Sequence, residues 1–169
     1  MNLAEFRERY NKLAEEIGQE GQEVKIQGTL AEGKATALSC GPGVSMVVGV
    51  GRDGEAGPGP GNETLPGRTQ RREAEMGEIT YCQVICGMQE PSAPQGLTAF
   101  CLVLTALTGC KPDVRRGWLE RLGLFDGRLG KAGAKGLATR ARGWDLSVLP
   151  YNPGKLMMSY VIKKAKTAG

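Results

Sequence analysis

The chain has 169 residues, 26 of them glycine, no histidine, 5% aromatic side chains and a net charge of +4. Without histidine, Ser-His-Asp and Cys-His catalysis and every histidine-containing metal site are excluded. A chain of this length buries roughly 70% of its unfolded surface in one domain, so 1–169 reads as a single domain with a modest core and long loops.

In "MNLAEFRERY" charged residues stand where a secretory signal needs an apolar run, which predicts a chain kept in the reducing cytoplasm. Leu3, Phe6, Tyr10, Leu13 and Ile17 recur at helical spacing, Asn2 with Glu5 has the form of a capping box, and Gly18 is a natural stop. The first element is therefore a helix. "EVKIQGTL" alternates Val24, Ile26 and Leu30 with polar residues and reads as a half-exposed strand. In "GVSMVVGVGRD" Val44, Met46, Val48 and Val50 share a face, with Ser45, Val47 and Gly49 on the other. Glycine and proline fill nine of the seventeen positions from Gly51 to Gly67, so 51–75 reads as a flexible, charged Gly/Pro-rich loop. "GEITYCQVICGM" carries Ile79, Tyr81 and Ile85 on one face and Cys82, Val84, Cys86 and Met88 on the other. Apolar residues on both faces predict a strand covered on two sides.

The most apolar stretch, "PQGLTAFCLVLTALTGCKP", is bracketed as a helix by Ser92 and Pro94 at its start, Gly109 at its end and Pro112 beyond. Its continuous apolar or hydroxylic run, Leu97 to Thr108, falls well short of the roughly 20 residues a bilayer needs. A buried helix follows, with Leu97, Phe100, Cys101, Leu104 and Leu107 on its main face. "DVRRGWLERLGL" suits a short amphipathic turn packing Trp118, Leu119, Leu122 and Leu124. From there to residue 143 lies a Gly-rich basic stretch, read over 126–143 as a loop, with Gly127, Gly130, Gly133 and Gly136 three apart. It contains no proline, which excludes collagen, and Lys135 is followed by glycine, which excludes a Walker loop. The final pair, "WDLSVLPY" and "KLMMSYVIKKA", forms a hairpin about Asn-Pro-Gly. It turns Trp144, Leu146 and Val148, then Leu156, Met158, Tyr160 and Ile162, inward, with trailing lysines guarding the edge.

Five cysteines, Cys40, Cys82, Cys86, Cys101 and Cys110, are an odd number, and the CxxxC of Cys82 and Cys86 has no second pair. They read as buried thiols, neither a disulfide framework nor a metal site. No cofactor is implied, and none of Asp53, Asp113, Asp126 or Asp145 sits in a recognisable carboxylate pair for an enzyme to use. Charge is unevenly spread: residues 1–63 carry 6 basic and 10 acidic side chains, whereas 111–142 carry 9 and 3. Such asymmetry suits an acidic partner or head-to-tail association of copies. The order of elements defines an α+β fold, a two-layer sandwich of a mainly antiparallel sheet of about four to five strands with two helices on one face.

That order, together with "GLTAFCLVLTALTGCKP" and "WDLSVLPYNPGKLMMSYVIKKA", resembles the tail terminator or tail completion proteins of tailed phages, particularly Mu-like contractile phages. The resemblance rests mainly on residues 96–112 and 143–162; the Gly/Pro insert and the basic glycine stretch have no counterpart in it. It implies a structural protein without catalytic residues, made in the host bacterial cytoplasm and located in the tail or neck of the virion. There a homo-hexameric ring would cap the tail tube, meeting tube, sheath and head-tail connector proteins but no membrane. DNA would meet it only in the lumen. The subunit and partner interface is expected at Arg68, Arg71, Arg72, Arg128, Lys131, Lys135, Arg140 and Arg142. A basic module that binds nucleic acid or a nucleotide is the alternative, although no aromatics interleave the basic stretch for base stacking.

Overall fold

Helix α1, Leu3–Glu16, starts with a reciprocal pair of hydrogen bonds: the Glu5 N–H donates to Asn2 Oδ1 at 2.9 Å and the Asn2 N–H donates to the Glu5 carboxylate at 3.0 Å. Two donors that a helix start leaves open are thereby satisfied. Leu3, Phe6, Tyr10 and Ala14 are buried, Leu13 is half-buried, and Ile17 lies past the helix end and is 52% exposed. In this computed structural model the described residues are 1–19, 23–30, 35–51, 77–89, 92–150 and 156–166; the predicted 51–75 loop lies almost entirely outside them.

Seven strands form one sheet: β1 Lys25–Leu30, β2 Ala35–Ser39, β3 Val44–Val50, β4 Ile79–Gly87, β5 Leu137–Ala141, β6 Trp144–Pro150 and β7 Met157–Lys164. Their order is β1-β2-β3-β4-β7-β6-β5, with every neighbouring pair antiparallel. The α+β class is as expected, with seven strands in place of four to five. One addition, β2, is only five residues of small and hydroxylic side chains around Leu38. The other, β5, comes out of the supposed basic loop. Residues 126–143 are in fact α4 (Arg128–Ala132), a 3₁₀ turn (Gly133–Lys135), β5, and the tight Arg142–Gly143 turn into β6.

Between β4 and β5 run two longer helices, α2 (Ser92–Thr108) and α3 (Pro112–Leu122). Pro112 stops α2 and occupies the first turn of α3, where its missing N–H has no helical partner to lose. Buried Trp118, Leu119 and Leu122 make α3 a full helix of 11 residues, where a short turn was expected. Among the described residues no single helix is long and apolar enough to cross a membrane.

The helices lie on the face of the sheet formed by Met46, Val48, Cys82, Val84, Cys86, Leu146, Val148, Tyr160 and Ile162, all buried. α1 packs beside α2, α2 crosses β4, and α3 covers β5 and β6. Phe100 of α2 stacks on Tyr160 of β7 with ring centroids 5.0 Å apart, an arrangement contributing about 0.5–1.5 kcal/mol beyond burial. The buried residues of α2 include Gly96, Ala99, Val103 and Ala106, while Leu97, Cys101 and Leu107 are only half-buried. Phe100 and Leu104 are buried as expected, and the face differs from the expected one at the other three positions. Size explains it: at Gly96 the helix lies so close to β4 that a Cβ would overlap the Cys86 sulfur, so small residues line the contact and larger ones flank it.

β4 was expected to be covered on both sides. Instead Cys82, Val84 and Cys86 face the helices, and Tyr81, Gln83 and Ile85 on the other face are half-buried. The final hairpin is also placed differently. β7 lies inside the sheet between β4 and β6, so its lysines guard no edge. Lys163 sits in register with Asp145 and Tyr81, and Lys164 pairs with Glu78 at 3.0 Å. The outermost strands are β1 and β5.

Candidate interaction surface at the two sheet edges

The basic residues singled out in the sequence fall into two groups once their neighbours are visible. Arg128 is a clamp. Its backbone N–H and its Nε donate to the Asp126 carboxylate at 3.1 and 2.6 Å, and its Nη2 donates to the Glu120 carbonyl oxygen at 2.9 Å. These bonds fix the start of α4 against the end of α3 and hold the Asp126 carboxyl below its ordinary pKa, the Arg128 N–H being the largest cause. Arg140 stands directly opposite Asp145 on the β5–β6 ladder and grips both carboxylate oxygens, at 2.6 and 3.3 Å. Arg142 occupies the hairpin turn with φ of 47° and places its guanidinium carbon 5.7 Å from the centroid of the buried Trp118 ring. A cation held over an indole face gains about 0.5–1 kcal/mol at such a partly exposed site.

Three of the five arginines and lysines expected at an interface in this region are thus engaged within the chain. Lys131 and Lys135 are not: both are exposed and have no charged partner among the described residues. Arg68, Arg71 and Arg72 lie outside the described residues. The cations left to face phosphate are fewer than the composition suggests.

Of the two free lysines, Lys131 lies just before the 3₁₀ turn that leads into β5 and Lys135 is its last residue. Gly136 closes that turn with φ of +61° and ψ of −158° and lies against the Val148 carbonyl oxygen and 2.8 Å from Leu149 Cα, measured from where its Cβ would be. Only glycine fits that backbone conformation and that approach. β5 is consequently held tightly to β6, while its outer side receives no backbone hydrogen bond from any described residue.

Ahead of β1, the other outermost strand, the chain is acidic. The last turn of α1 carries Glu15 and Glu16 and no basic residue, which is the unfavourable sign for a helix C-terminus. Glu23 follows, just ahead of β1. All three are exposed and unpaired among the described residues, and Ile17 and Ile26 are exposed in the same part of the chain. β1 pairs with β2 and has no further backbone partner among the described residues. The sequence shows an acidic first third and a basic last third; the fold makes β1, preceded by Glu23, one edge of the sheet and β5, preceded by Lys131 and Lys135, the other.

The open edge of β5 is the feature that reading the sequence misses. The regular glycines obscured it, yet a signal is present: Leu137, Thr139 and Ala141 alternate with exposed Ala138 and Arg140 up to an Arg-Gly turn.

Four of the five thiols are core residues, and Cys101 is half-buried. Burial pushes Cys40 up to about 12 and Cys86 up to about 11, and raises Cys82 and Cys101, the latter opposed in part by the Arg115 guanidinium. All five cysteines are unpaired. Among the described residues no group of three His, Cys, Asp or Glu is placed to hold a metal ion. Compared with family models, curated proteins and solved structures, the chain has no match.

Proposed function

We infer that this chain is a structural, non-enzymatic protein that assembles with copies of itself. The assembly is the ring that caps the tail tube of a phage or phage-like particle and joins it to the neck. The observation that carries the reading is the unpaired charge ahead of the two outermost strands, Glu23 just before β1 and Lys131 and Lys135 just before β5. Opposite signs at opposite edges favour head-to-tail contacts, which close into a ring when the rotation between copies allows it. A second support is the order of elements that the family resemblance rests on: α1, strands, the buried α2, a basic segment and the β6–β7 pair. On this reading the remaining partners are tube, sheath and connector proteins.

The test is sedimentation and particle imaging of the purified protein, alone and with growing tail tubes. Rings are expected, and tubes should stop lengthening when the protein is added. Monomers at every concentration, with tube length unaffected, would end the reading.

A further inference from the structure

We propose that copies of this chain meet edge to edge, β5 of one lying parallel to β1 of the next. The inference rests on the self-assembly reading above and names the surface that performs it. In a sheet of seven antiparallel strands the count is odd, so the two outermost strands run in the same direction. A copy displaced by one sheet width therefore lays its β1 alongside β5 with the starts of both strands at the same end.

The segments leading into those starts carry opposite charge. Before Lys25 come Glu15, Glu16 and Glu23; before Leu137 come Lys131 and Lys135. Aligning the strand starts sets Glu23 against Lys135, each two residues ahead of its strand. Copies related by a two-fold axis behave differently, because β5 would then run antiparallel to β5 and bring Lys135 toward Arg142 of its neighbour, whose guanidinium has no carboxylate partner among the described residues. Like charges would meet, so electrostatics selects the head-to-tail arrangement.

Edge strands that pair indiscriminately aggregate, and β1 carries two guards against that: Lys25 and an irregularity in its ladder between Ile26 and Gly28. What remains for pairing is the regular backbone of Gly28–Leu30 and the charges ahead of the strand. Such a contact is weak singly and sensitive to salt.

The experiment places cysteines at Glu23→Cys and Lys135→Cys in a Cys101→Ser background, where the four remaining native thiols are buried, and joins them with a short bis-maleimide. The doubly substituted protein should give a ladder of covalent multimers, and each singly substituted protein should stay a single band. Dimers from Ala138→Cys alone, an exposed position near the middle of β5 where a two-fold contact would bring equal residues together, would overturn the proposal in favour of two-fold pairing. Rings in images without a ladder would overturn the edge contact while leaving self-assembly intact, whereas a wild-type chain that never associates would sink both. Charge reversal gives an independent reading. Lys131→Glu with Lys135→Glu should weaken self-association by about tenfold at low salt, and mixing with Glu16→Lys/Glu23→Lys copies should restore it. Failure of the mixture to recover, with both variants folded, would also overturn the contact.

Discussion

Gly96 of α2 lies directly over Cys86 of β4, so close that a methyl group on the glycine would overlap the sulfur. Helix propensity alone would favour alanine at that position by about 1 kcal/mol. Overpacking should win, since forcing extra volume into a filled core costs about 1–3 kcal/mol. Gly96→Ala is expected to lower the urea midpoint of unfolding. Adding Cys86→Ala should recover only part of the loss, because the Cys86 Cβ would itself stand 2.6 Å from the new methyl group. Full recovery would mean that the sulfur alone sets the approach.

The four evenly spaced glycines of the basic segment should respond unequally to substitution. Gly136→Ala meets the Val148 carbonyl oxygen in a backbone conformation alanine avoids, and should cost upwards of about 2 kcal/mol. Hydrogen exchange should then show β5 amides opening ahead of the rest of the sheet. Gly130, inside α4 with open space where its Cβ would be, should accept alanine with no loss or a gain of up to about 1 kcal/mol.

Stability should fall in alkali. The sign follows from the thiols: Cys40 and Cys86 titrate at about 12 and about 11 in the folded chain, above the ordinary 9.0, because burial disfavours the thiolate. The folded state therefore holds protons that the unfolded state releases. Their contribution is fully present below 9 and is lost as pH rises from about 9 toward 12. Denaturant midpoints measured from pH 7 to 11 should be level at first and then decline. In the native protein an alkylating reagent at pH 8 should reach half-buried Cys101 first, and all five thiols only in urea. Rapid native labelling of Cys40 or Cys82 would contradict the burial.

At the β5–β6 turn two effects of similar size oppose one another. Arg142 pays for a left-handed backbone that most side chains avoid, at about 1–2 kcal/mol, and regains about 0.5–1 kcal/mol over Trp118. Arg142→Asn tolerates the turn but loses the indole, so the thermal midpoint should move little. Arg142→Val keeps the strain and loses the ring contact, and should be clearly less stable.

Much of the fold could be read from periodicity, where one residue type decides one face. The Leu3, Phe6 and Tyr10 stripe, the Met46 and Val48 face, and the Leu146 and Val148 alternation are each buried as their spacing predicts. Periodicity did less well where small residues carry the contact. Ala35 and Thr36 in β2, and Gly96 and Ala99 in α2, are buried, yet their side chains give little hydrophobic signal. The surface was less legible still. Net charge told where arginines are dense, not that Arg128 would turn to Asp126 and Glu120 or that Arg142 would find Trp118 from a distant helix. The Arg142–Trp118 pairing belongs to the tertiary structure. So does the position of β7, since no local pattern tells a strand whether its neighbours will leave it at the rim.

The seat of β7 between β4 and β6 has a consequence for how the molecule is made. During synthesis β1–β4 emerge as one meander and β5–β6 as a separate ribbon, and no strand joins them until Met157–Lys164 is available. Until then one edge of β4 has no strand partner, and nascent chains are exposed to chance pairing there. The step that completes the fold links segments far apart in the chain, which makes it slow by its topology.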